Sequence, residues 1–252
     1  MLSCIWGGCS TQEAEKQPET ETVAVVADTL HPDWKVFTYE TVRIIYPENH
    51  PLQDDLYQMA KGYITSAQKI SNFLRIQIPD DTLNVYFYTG FGQGREMTGK
   101  EWPSFEGNNL HFWLPGFMGT LLAEYVIQKW HPEETRFRFL KEGLMMLFDY
   151  SGQNYHEVTL NFVDEDRLVP LLELAQDTTI NAYAGSYPAG EAASFIAYFV
   201  DHYGIDGLNR LYLSNEPFEK AVQRVCKTNV DVMQKKWLEY AEKVYYESLR
   251  GK

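Results

Sequence analysis

Two consecutive helical segments carry side chains whose types and spacing could do chemistry. Glu124 and Gln128 lie four residues apart in "LLAEYVIQKW", and Glu142 opens the next helical segment in "KEGL". Side chains at i and i+4 lie on one face of a helix, so such a pair can reach one metal ion together with a residue from a neighbouring helix. These three side chains offer only oxygen donors, whereas zinc prefers imidazole and thiolate ligands. The segments therefore have the spacing of a two-helix metal site without its usual ligand types.

The elements that position these residues follow an order of strands first and helices afterwards. "WKVFTYETVRIIYP" predicts a strand or a hairpin arm, and apolar residues at helical spacing predict a long helix over about 52–74. "DTLNVYFYTG" and "NNLHFWLPG" predict two further strands. "GFGQG" predicts a glycine-rich loop after the first of them, and not a phosphate loop, because no Lys-Ser/Thr pair follows it.

Apolar periodicity then predicts helices over most of the remaining chain. The predicted ranges are 118–130, 136–150, 166–176, 188–203, 206–213, 217–226 and 230–249. Together these patterns predict an α+β fold with a small N-terminal mixed sheet, a long helix and a mostly helical C-terminal half.

Three later stretches carry a resemblance to a known family. They are "KEGL", "YPAGEAASFIAYFVDHYGIDGLNRLY" and "PFEKAVQRVCKTNVDVMQKKWLEYA". In this order and spacing, the chain from about Val36 to Trp237 resembles the peptidase-MA-like gluzincin metallopeptidases. The resemblance implies a thermolysin-like architecture over residues 35–252, with a sheet part at 35–115 and a helical part at 116–252.

The active helix departs from the family pattern. Active gluzincins bind zinc with two His at i and i+4 and a Glu from the next helix, and a further Glu activates the water. The best register places Glu124 and Gln128 at the His positions and Tyr125 at the base position; a shift by one residue keeps Glu124 as base but puts apolar side chains at the ligand positions. Tyr125 cannot replace that base at neutral pH, since its ordinary pKa is about 10. Only Glu142 matches, so we expect family catalysis to be lost and no cofactor to bind.

The resemblance implies cleft roles for four more residues. His111 would lie on the edge strand that binds substrate backbone, and Tyr183 and Tyr187 would lie near a former oxyanion site. His131 follows Glu124 by seven residues and is a candidate displaced ligand. Each has a plainer interpretation: a strand histidine, aromatic residues of the core or cleft wall, and a surface residue where Pro132 ends the helix.

Three functional hypotheses follow. The first is a non-catalytic peptidase homologue that binds a peptide or protein partner in the former cleft. The second is an active zinc peptidase with an atypical site formed by Glu124, Glu142 and His131. The third is a purely structural protein of the cell envelope, whose cleft is filled by its own side chains.

The N-terminal stretch "MLSCIWGGCSTQEAEKQPETET" resembles the end of a bacterial lipoprotein signal. Two glycines precede Cys9, the expected lipidation site, and Cys4 is a second candidate. No basic residue precedes Lys16, which a start codon placed too far downstream would explain. We expect a signal remnant at 1–9, a flexible acidic tether at 10–34 and a lipid anchor at the bacterial cell envelope. The alternative is an ordinary disordered tail.

Composition restricts the remaining possibilities. The chain has 252 residues, of which 44% are hydrophobic and 15% aromatic, as in a folded globular protein. Its formal net charge of -13 disfavours nucleic acid as a partner, because phosphates attract Lys and Arg. Three cysteines argue against a disulfide framework. No apolar run reaches the length of about 18 residues that a membrane-spanning helix needs.

Overall fold

The computed structural model describes residues 33–48, 50, 55–77, 81–113 and 118–250. The lipidation site expected at Cys9, the signal remnant at 1–9 and nearly all of the tether at 10–34 lie outside the described residues. Within the described ranges, no helix is long and apolar enough to cross a membrane.

The N-terminal part forms a five-stranded mixed sheet in the order β1-β2-β3-β5-β4. Its strands are β1 (Trp34–Tyr39), β2 (Val42–Pro47), β3 (Leu83–Phe87), β4 (Ser104–Glu106) and β5 (Asn109–Phe112). The outer pairs β1–β2 and β4–β5 are antiparallel, whereas β3 is parallel to β2 and to β5. The run "WKVFTYETVRIIYP" is therefore both arms of a hairpin, which turns at Glu40 with a φ of 46°.

Nine helices are described, two within the sheet part and seven after it. They are α1 (Leu56–Leu74), α2 (Phe91–Thr98), α3 (Met118–Trp130), α4 (Arg138–Leu147), α5 (Tyr155–Asp164), α6 (Leu171–Gln176), α7 (Tyr187–Tyr212), α8 (Phe218–Cys226) and α9 (Val230–Arg250). Helix α7 is kinked at Gly204, whose φ of 69° an L side chain rarely adopts. The predicted α+β fold, with an N-terminal mixed sheet and a mostly helical C-terminal half, is confirmed.

The glycine-rich stretch after β3 is a helix, so the predicted loop at "GFGQG" is wrong. Helix α2 begins directly at Phe91, and the Gln93 side chain accepts hydrogen bonds from the backbone N–H and the hydroxyl of Thr89 at 2.8 and 2.9 Å. Gly94 lies against Trp113 so closely that a Cβ atom there would be 2.5 Å from the indole. The glycine therefore serves helix packing and not a flexible loop.

Helix α5 was missed, and α6 is shorter than the predicted 166–176. The Asn154 side chain caps α5 by accepting hydrogen bonds from the backbone N–H groups of His156 and Glu157. Asp166 has a φ of 55°, which ends the helical path, and α6 starts only after Pro170. Asn caps and turn residues were therefore the informative local signals in this region.

One large hydrophobic core joins the sheet to the helices. Val85, Leu110 and Phe112 face this core from one side of the sheet, and α4 and α7 form its densest helix pair. Gly143 allows that contact, because a Cβ atom there would lie 2.7 Å from the backbone of Ala192. A second cluster with Tyr86, Tyr88 and Trp113 covers the opposite face of the sheet. The close α4–α7 packing fixes the helix that carries Glu142.

Candidate ligand-binding cleft

An open cleft lies between the edge strand β4 and the helices α3 and α4. Its volume is about 670 Å³, and residues 100–107 form the wall on the sheet side. Five of the residues predicted to form the site line it together: Glu124, Gln128, His131, Glu142 and Tyr183. Helix α3 presents the first two and α4 presents Glu142, as the i,i+4 spacing and the next-helix position predicted.

Glu124 is held by two partners inside the cleft. Its Oε1 lies 2.8 Å from the Lys141 ammonium, and its Oε2 accepts a hydrogen bond from the Tyr183 hydroxyl at 2.6 Å. Burial, together with the neighbouring Glu124 charge, raises the pKa of Tyr183 well above its ordinary value, so the phenol stays a donor. The Tyr183 ring stacks on Trp102 with centroids 6.5 Å apart.

Glu142 is almost completely buried, with 4% of its surface exposed. Its Oε1 lies 3.1 Å from Nε of Arg138, one turn earlier on α4, and its Oε2 accepts the backbone N–H of Ala182 at 2.9 Å. Burial raises the pKa of Glu142, although the Ala182 N–H and the Arg138 guanidinium act in the opposite direction. Both carboxylate oxygens therefore have partners within the chain.

Lys141 supplies the cation at the centre of the site. Its ammonium contacts Glu124 and, at 3.6 Å, the exposed carboxylate of Glu134. Burial disfavours the charged amine, but the carboxylates of Glu124, Glu134 and Glu142 outweigh this effect and raise the pKa of Lys141. A protein ammonium thus neutralises carboxylates at a place where the resemblance would put a metal ion.

His131 lines the cleft but is bound to helix α7. Its Nε2 lies 2.8 Å from Oδ1 of Asn209, and its ring stacks on Tyr212 with centroids 5.1 Å apart. Burial lowers the pKa of His131, which keeps the imidazole neutral. These contacts tie the end of α3 to α7, so His131 packs in the cleft wall, whereas the plainer interpretation made it a surface residue.

These donors do not fit zinc. Among the described residues, no group of three His, Cys, Asp or Glu side chains is arranged to hold a metal ion. The carboxylates of Glu124 and Glu142 are bound to Lys141 and Arg138, and Nε2 of His131 is bound to Asn209. A cation entering here would have to displace two internal ion pairs. The cleft lining offers it carboxylates, the imidazole of His131 that is already bound to Asn209, and the weak thioether of Met145, but no thiolate.

Three residues with predicted site roles lie elsewhere. The prediction that His111 lies on the edge strand is wrong, because β5 pairs with β3 on one side and with β4 on the other. His111 stacks on Tyr86 on the sheet face away from the main core. Tyr187 is 62% exposed at the start of α7 and packs edge-on against Phe162, outside the cleft.

Tyr125 also points away from the open cleft. Its ring meets Phe105 of β4 edge-on with centroids 5.8 Å apart, and its hydroxyl donates to Asn108 at 3.0 Å. The side chain is 3% exposed, and burial raises its pKa. Tyr125 therefore fastens β4 to α3, which is a packing role and not that of a catalytic base.

Sequence reasoning missed four features of this site: Lys141, Arg138, Trp102 and the strand β4. The pair of Arg138 and Glu142 has the i,i+4 spacing of a helical ion pair and could have been found. The strand at 104–106 has only three residues, which is too short to give an alternating pattern.

No protein-family model matches the chain, and a search of the curated proteins finds no significant match. The relationship to the gluzincin peptidases therefore remains a prediction from the sequence motifs.

Proposed function

We propose that this chain is a non-catalytic homologue of the gluzincin peptidases that binds an extended peptide, or an extended segment of a protein, in the cleft. The observation that carries the proposal is the cleft wall formed by edge strand β4. An edge strand has backbone N–H and C=O groups unpaired along one side, and an extended peptide can bond to them without a metal ion.

The charges of the cleft indicate which peptides it favours. Six acidic and three basic side chains line it. Two of the basic residues, Lys141 and Arg138, are already paired with Glu124 and Glu142. The remaining excess is negative, so we expect peptides with Lys or Arg side chains to bind more tightly than acidic ones.

The two other hypotheses fit the cleft less well. A zinc peptidase needs free ligands, whereas the predicted ones are bound within the chain. A purely structural protein needs no cleft, whereas this chain has an open cleft of about 670 Å³ lined by residues of β4, α3 and α4. The lipid anchor at Cys9 and the bacterial cell-envelope location remain part of the proposal on sequence grounds alone.

The proposal is tested by selecting binders from a random peptide library on the full chain in the presence of EDTA. Selected peptides are then measured by fluorescence anisotropy against Gln128→Arg, which puts a long cationic side chain into the cleft from an exposed position on α3. Gln68→Arg, at an exposed position of α1 outside the cleft, is the matched control. We expect Gln128→Arg to weaken binding by about tenfold or more and the control to leave it unchanged.

Metal content, measured by mass spectrometry on the chain purified without chelator, separates the hypotheses. Near one zinc per chain, with peptides selected only when EDTA is left out, would favour the peptidase with an atypical site. A selection that yields no peptide sensitive to Gln128→Arg would count against binding in the cleft.

A further inference from the structure

A second concave surface lies between helices α5 and α9 and shares no residue with the cleft. We call it the α5–α9 groove; its volume is about 930 Å³. Apolar side chains from the two helices form its floor: Leu160, Val163, Leu238, Tyr245, Tyr246 and Leu249. The peptide-binding function proposed above does not use this surface.

The floor of the α5–α9 groove exposes large apolar side chains to solvent. Val163 is 40% exposed, Tyr246 51% and Leu249 49%. Single exposed apolar residues are common, whereas three that line one concave surface leave apolar area there that water solvates poorly. Such a surface, rimmed by polar residues, is typical of a site that another molecule covers.

The rim of the α5–α9 groove is acidic. Asp164, Asp231, Glu239 and Glu242 line it, and Lys235 is the one basic residue among the lining residues. The Lys235 ammonium already lies 3.8 Å from Glu239, one turn further along α9. The rim therefore keeps a net negative charge that a basic partner would neutralise.

Helix α9 forms the long wall of the α5–α9 groove, whereas α5 borders the groove only over residues 160–164. Lining residues recur along one face of α9 from Asp231 to Leu249, including Gln234, Leu238 and Glu242 at spacings of three or four. A rise of 1.5 Å per residue gives this stripe a length of about 27 Å, which corresponds to about five turns of a partner helix.

We propose that the α5–α9 groove binds an amphipathic helix of a partner protein, with an apolar stripe and Lys or Arg on its flanks. The apolar stripe would cover Val163, Tyr246 and Leu249, and the basic flanks would meet the acidic rim. A second copy of this chain is disfavoured as the occupant, because joining two such grooves would bring their acidic rims together.

The probe is a fluorescein-labelled peptide of about 18 residues, built of leucine and lysine, with leucines every three or four positions. A peptide with the same residues in shuffled order has the same charge and no apolar stripe. Binding to the full chain is followed by anisotropy at moderate salt. We expect the striped peptide to bind at least about tenfold more tightly than the shuffled one, because only the former covers the floor.

Two variants locate the bound peptide, and one serves as a control. Leu249→Gln removes an exposed apolar contact, and Glu242→Lys reverses a rim charge; each is expected to weaken binding by about threefold to tenfold. Glu219→Lys makes the same charge change at an exposed position of α8 outside the groove and is expected to change affinity by less than about twofold.

Three outcomes would overturn the proposal. If the shuffled peptide binds as tightly as the striped one, binding is a general attraction to an acidic protein. The same conclusion follows if Glu219→Lys weakens binding of the striped peptide as much as Glu242→Lys does. A wild-type dimer in sedimentation that Leu249→Gln dissociates would instead assign the groove to a second copy of the chain.

Discussion

Replacing Lys141 by Met tests the central claim about the cleft, that an internal ammonium neutralises its carboxylates. The substitution keeps a long apolar side chain and removes only the charge. Glu124, with 18% of its side chain exposed, would lose its ion pair at 2.8 Å and keep only the Tyr183 hydroxyl. The variant therefore leaves a largely buried carboxylate without a counter-ion.

The expected cost lies between those of exposed and fully buried ion pairs. Breaking an exposed pair costs about 0–1 kcal/mol, and leaving a fully buried charge unpaired costs about 3–5 kcal/mol. Because Lys141 and Glu124 are 21% and 18% exposed, we expect Lys141→Met to lower the free energy of unfolding by about 2–3 kcal/mol. For a chain of this size, that loss lowers the melting temperature by about 5–10 °C.

The measurement is urea unfolding of the wild type, Lys141→Met, Glu124→Gln and the double variant. Glu124→Gln in the Lys141→Met background removes the unpaired charge and should restore about 2 kcal/mol, which appears as coupling in the double-mutant cycle. Lys243→Met breaks an exposed pair with Glu247, at 4.0 Å, and should cost less than about 0.5 kcal/mol.

Two results would refute the reasoning about Lys141. One is a loss for Lys141→Met no larger than that for Lys243→Met, since the ammonium would then not hold the cleft carboxylates. The other is a wild type whose melting temperature rises clearly with added zinc and falls with chelator, because a bound metal would have to replace the Lys141 ammonium beside Glu124.

Three further predictions concern residues outside the cleft. Burial raises the pKa of Glu191 to about 7, so between about pH 4.5 and 7 the folded chain keeps a proton on this carboxyl group that the unfolded chain has lost. The contribution of Glu191 to the free energy of unfolding is therefore full below about pH 4.5 and is lost as the pH rises through 7. The difference in unfolding free energy between the wild type and Glu191→Gln should therefore shift by about 3 kcal/mol in favour of the variant between pH 4.5 and 8, and a constant difference would contradict this pKa. Gly143→Ala should lower the free energy of unfolding in urea by about 2 kcal/mol or more, because the added Cβ atom would lie 2.7 Å from the backbone of Ala192. The control Gly62→Ala, whose Cβ atom would have nothing within 4 Å, should be neutral or stabilising. Burial raises the pKa of Cys226 to about 12, so iodoacetamide should alkylate this thiol slowly at pH 8 in the folded chain and faster once urea unfolds it. Peptide mass spectrometry measures the labelling, and fast alkylation of the folded chain would contradict the burial of this thiol.

The fold could be predicted from the sequence where one periodic pattern dominates a segment. The predicted range 118–130 coincides with helix α3, because this segment is apolar almost all round and has no Gly or Pro after Gly119 in its first turn. Helix α2 could not be predicted, because one of its two glycines, Gly94, is explained only by its contact with Trp113, which lies 19 residues away along the chain. The local sequence predicts whether a segment is a helix, a strand or a loop only where contacts with distant residues do not determine the outcome.

The site was predictable to the extent that its residues share a helix face. The i,i+4 spacing brought Glu124 and Gln128 into one cleft, and the next-helix position added Glu142. The pair of Lys141 and Glu124 joins two helices and has no periodic signature, so only the fold shows it. Likewise, the prediction for His111 failed because a three-residue strand took the edge of the sheet.

The ion pairs inside the cleft and the edge strand along its wall both indicate that binding there would not depend on a metal ion. Lys141 and Arg138 neutralise the two central carboxylates, so a ligand need not bring a cation to make this interior stable. Affinity for a peptide would then come from the backbone groups of β4, the aromatic pair of Trp102 and Tyr183, and the acidic rim, and none of these depends on metal. Because backbone pairing is largely independent of sequence while rim charges are screened by salt, raising the salt concentration should reduce the preference for basic peptides more than it reduces binding itself.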